Sequence, residues 1–158
     1  MDSTTAFFIL MKFEGGAALT NTKGDKGGLT KYGIAQASHP GVDIASLTQE
    51  QAIQLYIEEY WVPLHCANLK PGLQYMHFDT AVNCGVVAAV KMLQRAAKVT
   101  PDGIMGPETI VASMKISLPQ YAIQRLAYYS EIVKNDNSQS KFYIGWVNRV
   151  RTIVERDY

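Results

Sequence analysis

Cysteine is nearly absent from this chain: Cys66 and Cys84 are the only two, in no metal-like spacing. This excludes a disulfide-stapled scaffold and a cysteine metal site, and two free thiols are the expectation. Histidine is equally sparse, and His39, His65 and His77 have no i, i+4 partner, so they suggest no metal site and are expected to be structural or exposed. Asp136-Asn137 lacks the Gly and terminal Glu of a calcium loop. No metal or cofactor is expected. An excess of one charge is also missing. With 15 Lys and Arg against 14 Asp and Glu, the net charge of +1 gives no footprint for nucleic acid. Long apolar runs are lacking too: Ala6 to Met11 falls well short of the ~20 residues of a membrane span, and Lys12 and Glu14 follow it. The opening Met1-Asp2-Ser3-Thr4-Thr5 has neither the basic region nor the cleavage site of a signal peptide, so synthesis in the cytoplasm is expected. No repeat, low-complexity tract or Pro/Ser/Gly-rich spacer occurs.

What remains is an ordinary globular composition, 47% hydrophobic and 18% charged over 158 residues, enough for one compact domain or a domain with a small lobe. The pattern is mainly helical. Ser3 can cap a first helix whose apolar run ends at Glu14. Residues 17 to 34 are rich in Gly, Thr, Lys and Asn and read as a short, irregular antiparallel hairpin. Thr48-Gln49-Glu50-Gln51 has capping-box form and opens a helix that Pro63 stops. Its Tyr60 and Trp61 suit either the core or stacking on sugar rings. After the Pro71-Gly72 turn, residues 73 to 84 read as a helix on which Asp79 and Asn83 share a face, either lining a cleft or bracing nearby backbone. An Ala-rich helix spans Val86 to Val99, Pro107 and Pro119 each open another, and the last runs from Lys141 to Arg156. On that last helix most arginines should be solvated, while Tyr143, Trp146 and Arg149 are placed to meet a substrate carboxylate.

The densest chemistry lies near the N-terminus. Glu14 precedes Gly15-Gly16, which can take left-handed dihedrals and end the first helix. A carboxyl at the negative end of a helix, among apolar neighbours, favours its protonated form, which a general acid needs. Asp25 sits in the polar stretch Lys23-Gly24-Asp25-Lys26-Gly27-Gly28, wet enough to remain ionised. Taken singly, these are also a helix end and tight-turn residues.

The combination Glu14-Gly15-Gly16, then Asp25-x-Gly27-Gly28-x-Thr30-x-Tyr32-Gly33-Ile34, resembles the glycoside hydrolase family 108 muramidases. The resemblance continues in Tyr56-x-x-x-Tyr60-Trp61-x-Pro63, Asp79-x-Ala81-Val82-Asn83-x-Gly85, Gln94-x-Ala96, Asp102-Gly103-x-x-Gly106-Pro107-x-Thr109 and Gly145-Trp146-x-x-Arg149. It implies a mainly α, lysozyme-like helical domain with a small irregular β-hairpin carrying part of the active site. It also implies a catalytic region over 1–88 and a peptidoglycan-binding-like helical lobe over 89–158, packed as one unit.

The implied reaction is hydrolysis of the β-1,4 bond between N-acetylmuramic acid and N-acetylglucosamine. Glu14 would be the acid, Asp25 the base and Thr30 the group orienting water, an inverting arrangement with carboxyls roughly 6.5–9.5 Å apart. The Gly-Gly pair between Asp25 and Thr30 departs from phage-type lysozymes, so Asp25 is less firmly placed than Glu14. The substrate contacts implied are Tyr32, Tyr60, Trp61, Asp79, Asn83, Trp146 and Arg149. The partners implied are peptidoglycan and, for passage of a protein without a signal, a holin or export partner. The protein is expected to be a monomer that binds no nucleic acid and acts in the periplasm or cell wall, in the manner of a phage or prophage endolysin. A lytic transglycosylase, needing only the acid, and a non-catalytic wall-binding protein are the alternatives.

Overall fold

The structure is a computed structural model that describes residues 1–14, 16–21 and 28–156. Among the described residues, seven α-helices and one two-stranded sheet make up a lysozyme-like helical fold. They divide into two compact units, one of Asp2–Glu59 and one of Tyr60–Tyr158 together with Met1.

In the N-terminal unit, helix α1 (Ser3–Met11) is capped one residue earlier than the sequence suggested. Asp2 accepts the Thr5 amide at 2.8 Å, its carboxylate taking the role assigned to Ser3. α1 buries Ala6, Phe7, Ile9 and Leu10. Strands β1 (Thr30–Lys31) and β2 (Ile34–Ala35) pair antiparallel, with Thr30 opposite Ala35, and Thr20 bridges to Thr30. Among the described residues of the stretch expected to form a hairpin, regular pairing lies at its C-terminal end. Its two-residue turn is Tyr32-Gly33, both at positive φ (54° and 77°), which matches the twist of the flanking strands. Helix α2 (Gln49–Tyr56) starts with the reciprocal Thr48–Gln51 capping box and buries Ala52 and Tyr56.

Helix α3 (Pro71–Cys84) organises the C-terminal unit, and every position from Leu73 to Ala81 is buried. A helix enclosed on all sides must satisfy each polar group it carries. Gln74 accepts the Met1 ammonium at 2.7 Å and donates to the Leu69 carbonyl at 2.9 Å. Thr80 donates to the Met76 carbonyl, and His77 Nδ1 meets the Tyr121 hydroxyl at 2.8 Å. α3 packs on α4 (Val86–Ala97) and α6 (Leu118–Asn135). α6 in turn packs on α7 (Ser140–Arg156), while α5 (Pro107–Ser113) lies against α4. The compact units part between Glu59 and Tyr60, so α3 belongs to the later one. The helices that α3 packs on, α4 and α6, both follow it in the chain, and it groups with them.

Gln94 ties α4 to the turn before α5. Its amide nitrogen lies 2.6 Å from Asp102 Oδ1 and 3.1 Å from Thr109 Oγ1, and its oxygen accepts the Gly103 amide at 2.9 Å. Cys66 and Cys84 are free thiols. Among the described residues no helix is long and apolar enough to cross a membrane, and no cluster of three metal-ligating side chains occurs.

His77 makes the unit acid-sensitive. Burial lowers its pKa from 6.5 to about 3, so between those values the unfolded chain takes up a proton that the folded one refuses. Stability should then fall as pH drops through this window, by up to about 1.4 kcal/mol per pH unit. His77→Phe should flatten that limb in denaturant melts followed by circular dichroism, and a parental slope in the variant would contradict the assignment.

Candidate functional site

α1 ends in a tightened turn in which the Phe13 and Glu14 amides both donate to the Leu10 carbonyl, at 2.8 and 3.1 Å. Gly16 stands at φ +69°. Glu14 is half-buried in the turn that follows α1. The hairpin turn comes directly against it. A Cβ placed on Gly33 would stand 3.4 Å from Glu14 Cβ and 2.7 Å from the Tyr56 hydroxyl. That hydroxyl donates at 3.0 Å to the carbonyl of Tyr32, so α2 fixes the turn beside the Glu14 side chain. Phe7 completes the support, its ring 5.5 Å from Tyr56 and 6.4 Å from Tyr32.

Thr30 exchanges both backbone hydrogen bonds with Thr20 at 2.9 Å, and its hydroxyl donates to the Gly28 carbonyl at 3.4 Å. Tyr32 is buried, with the Lys31 ammonium over its ring. Glu14, Thr30 and Tyr32 thus belong to one small assembly of helix end and hairpin. Asp25 lies outside the described residues. On the strand side, His39 joins β2 to the helical turn that follows α2: Nδ1 reaches the Ala35 carbonyl at 3.3 Å and Nε2 reaches Glu59 at 2.8 Å.

The other sequence-derived positions lie in the C-terminal unit. Tyr60 is half-buried. Trp61 is buried with Phe78 edge-on at 5.6 Å, so its ring is spent on protein contacts. Asp79 is wholly buried and offers no surface to a sugar. It receives Arg125 Nη1 at 2.7 Å, Arg149 Nη2 at 2.7 Å and the Tyr75 hydroxyl at 3.1 Å. Burial alone would raise its pKa, but the two guanidiniums hold the carboxyl below its ordinary value.

Arg149, placed by the sequence to meet a substrate carboxylate, is bound to Asp79, its side chain 11% exposed. Arg151, two residues on, is exposed as expected. Asn83 accepts the Tyr129 hydroxyl at 2.5 Å, and Trp146 stacks on Tyr129 at 4.9 Å. Asp79, Asn83, Trp146 and Arg149 therefore converge on one network linking α3, α6 and α7. Its hub, Arg125, escaped the sequence reading. The available signal was an arginine at four-residue spacing between the buried Tyr121 and Tyr129. Removing one member of such a cluster strands a buried charge, at a cost of about 3–5 kcal/mol.

With this geometry in view, the family comparison is decisive: residues 7–85 match the glycosyl hydrolase 108 family. The chain belongs to glycosyl hydrolase family 108. Residues 88–151 match a family described as a predicted peptidoglycan domain. The solved structure of Brucella abortus SagA is similar to this chain at 28% identity and a TM-score of 0.80, covering 98% of this chain and 92% of that one. No curated protein matches. This family 108 chain is thus a glycoside hydrolase acting on peptidoglycan, with Glu14 and the hairpin inside the matched catalytic segment.

The Gly33 contacts yield a test. Gly33→Ala imposes a side chain at positive φ and forces Tyr56 off the Tyr32 carbonyl, an expected destabilisation of about 1–3 kcal/mol. Peptidoglycan clearing at a temperature where the variant remains folded should fall as well, because the Glu14 side chain must also give way. Parental melting and parental clearing together would contradict this role for the turn.

Proposed function

We propose that the chain is an N-acetylmuramidase that hydrolyses the β-1,4 bond between N-acetylmuramic acid and N-acetylglucosamine, with Glu14 as the general acid. The observation that carries this reading is the seating of Glu14 at the end of α1 against the Tyr32-Gly33 turn, with Tyr56 fixing the approach. A positioned acid must hold its proton donor steady against the leaving oxygen, and this arrangement restrains the side chain from the helix and from the hairpin. Thr30 belongs to the same hairpin, half-buried in β1. In the proposed mechanism Glu14 protonates the glycosidic oxygen. Asp25 takes a proton from water oriented by the Thr30 hydroxyl, and that water attacks the anomeric carbon from the opposite face, inverting it.

Within the C-terminal unit, the sugar contacts in this reading are Asn83 and Trp146, which keep some exposed surface, and Arg149 serves them by fixing α7 to α3. The protein acts as a monomeric lysozyme-type endolysin on the cell wall, after a holin-like partner has opened the inner membrane.

Substitutions separate these roles. Glu14→Gln preserves shape but cannot donate the proton, and should lower wall hydrolysis by more than ~10²-fold with unchanged circular dichroism. Asp25→Asn should remove most activity, and Thr30→Ser should be milder than Thr30→Ala. Activity of Glu14→Gln within a few-fold of the parent sinks the acid assignment. Proton NMR on a soluble fragment, read before mutarotation, should show the α-anomer first, whereas a β-anomer removes Asp25 from the base role.

A further inference from the structure

α4 and α6 pack closely, yet between their outer faces runs a groove of about 520 Å³. That lies within the roughly 300–1,000 Å³ typical of small-ligand sites. Its depth follows from residue size, since Ala88 and Ala127 stand where larger side chains would fill the space. One wall carries Lys91 and Arg95, a turn apart on α4. The other carries Gln124, Tyr128 and Glu131, on one face of α6.

The polar ends here are unspent. Among the described residues no side-chain hydrogen bond or ion pair engages Lys91, Arg95, Gln124 or the Tyr128 hydroxyl, and Glu131 has only an exposed contact with Lys134 at 3.7 Å. Lys91 also feels the charge of Asp102, and its stem would lie 3.2 Å from a Cβ on Gly103, so the turn before α5 limits where its ammonium can reach. The groove of the N-terminal unit differs in this respect. There Gln51 closes a capping box, Gln54 donates to Glu58 and Asp43 accepts backbone amides.

We propose that the α4–α6 groove binds the anionic stem peptide of peptidoglycan. Two cations facing one carboxylate across a half-buried tyrosine suit a ligand with several carboxylates and an amine. The peptide arm of peptidoglycan has that chemistry, and its neutral glycan strand does not. The Tyr128 hydroxyl and the Gln124 amide add donors and acceptors for the peptide backbone. The proposal rests on the peptidoglycan reading and adds the part of the polymer that this unit holds.

The test uses the full chain and the soluble peptide L-alanyl-γ-D-glutamyl-diaminopimelate in calorimetric titration. The parent should bind it, and the double variant Lys91→Ala/Arg95→Ala should bind about tenfold more weakly with parental circular dichroism. A form of the peptide with its carboxylates amidated should lose affinity for the parent to a similar degree. The control Lys98→Ala/Lys115→Ala, which removes two exposed cations outside the groove, should bind as the parent does. Absence of binding to the parent, equal binding by the groove variant, or an equal loss in the control would each overturn the proposal. Cleavage of intact peptidoglycan by the parent is measured alongside: if it persists while the groove proposal fails, the enzymatic reading stands.

Discussion

A single close approach governs the N-terminal unit: the backbone of Gly33 comes where no side chain fits, between the Tyr56 hydroxyl and the Glu14 side chain. The turn needs positive φ at two successive residues, and Gly33 supplies one at no steric cost. Tyr32 occupies the other at a cost, which the bond from Tyr56 to its carbonyl and the packing of Phe7 against its ring offset. Strand pairing, the placement of Thr30 and the restraint on Glu14 all follow from that contact. The segment after α1 and a two-residue turn thus restrain one carboxylate from two sides.

The C-terminal unit meets a different constraint, a helix buried on every side that still carries a carboxylate and an imidazole. Asp79 is tolerable there only because Arg125 and Arg149 reach it from two other helices. The charges consequently specify which helices meet α3 and in what register, even where an apolar cluster of the same volume would match them in stability. His77 remains neutral, with its Nε2 unpaired among the described residues. The resulting unit presents Asn83, Trp146 and the α4–α6 groove on a frame fixed from within.

Local chemistry was legible in the sequence wherever cause and effect lie close together. The Thr48 capping box and the proline-started α5 are written within a few residues of their consequences. The shared face of Asp79 and Asn83 was equally plain, but not what the face would meet. Arg125 lies 46 residues beyond Asp79, and no local pattern announces that the two will pair. Trp61 shows the limit for aromatics: its spacing suited core or sugar, and only Phe78 against its ring shows where the ring is spent.

The central claim is that an acid seated at the end of α1 drives hydrolysis of a muramyl bond. Mass spectrometry of the soluble products from purified peptidoglycan tests it most directly. The account predicts muropeptides ending in a reducing N-acetylmuramic acid, each carrying one added water. Products ending in 1,6-anhydro-muramic acid, or in a reducing N-acetylglucosamine, would contradict it.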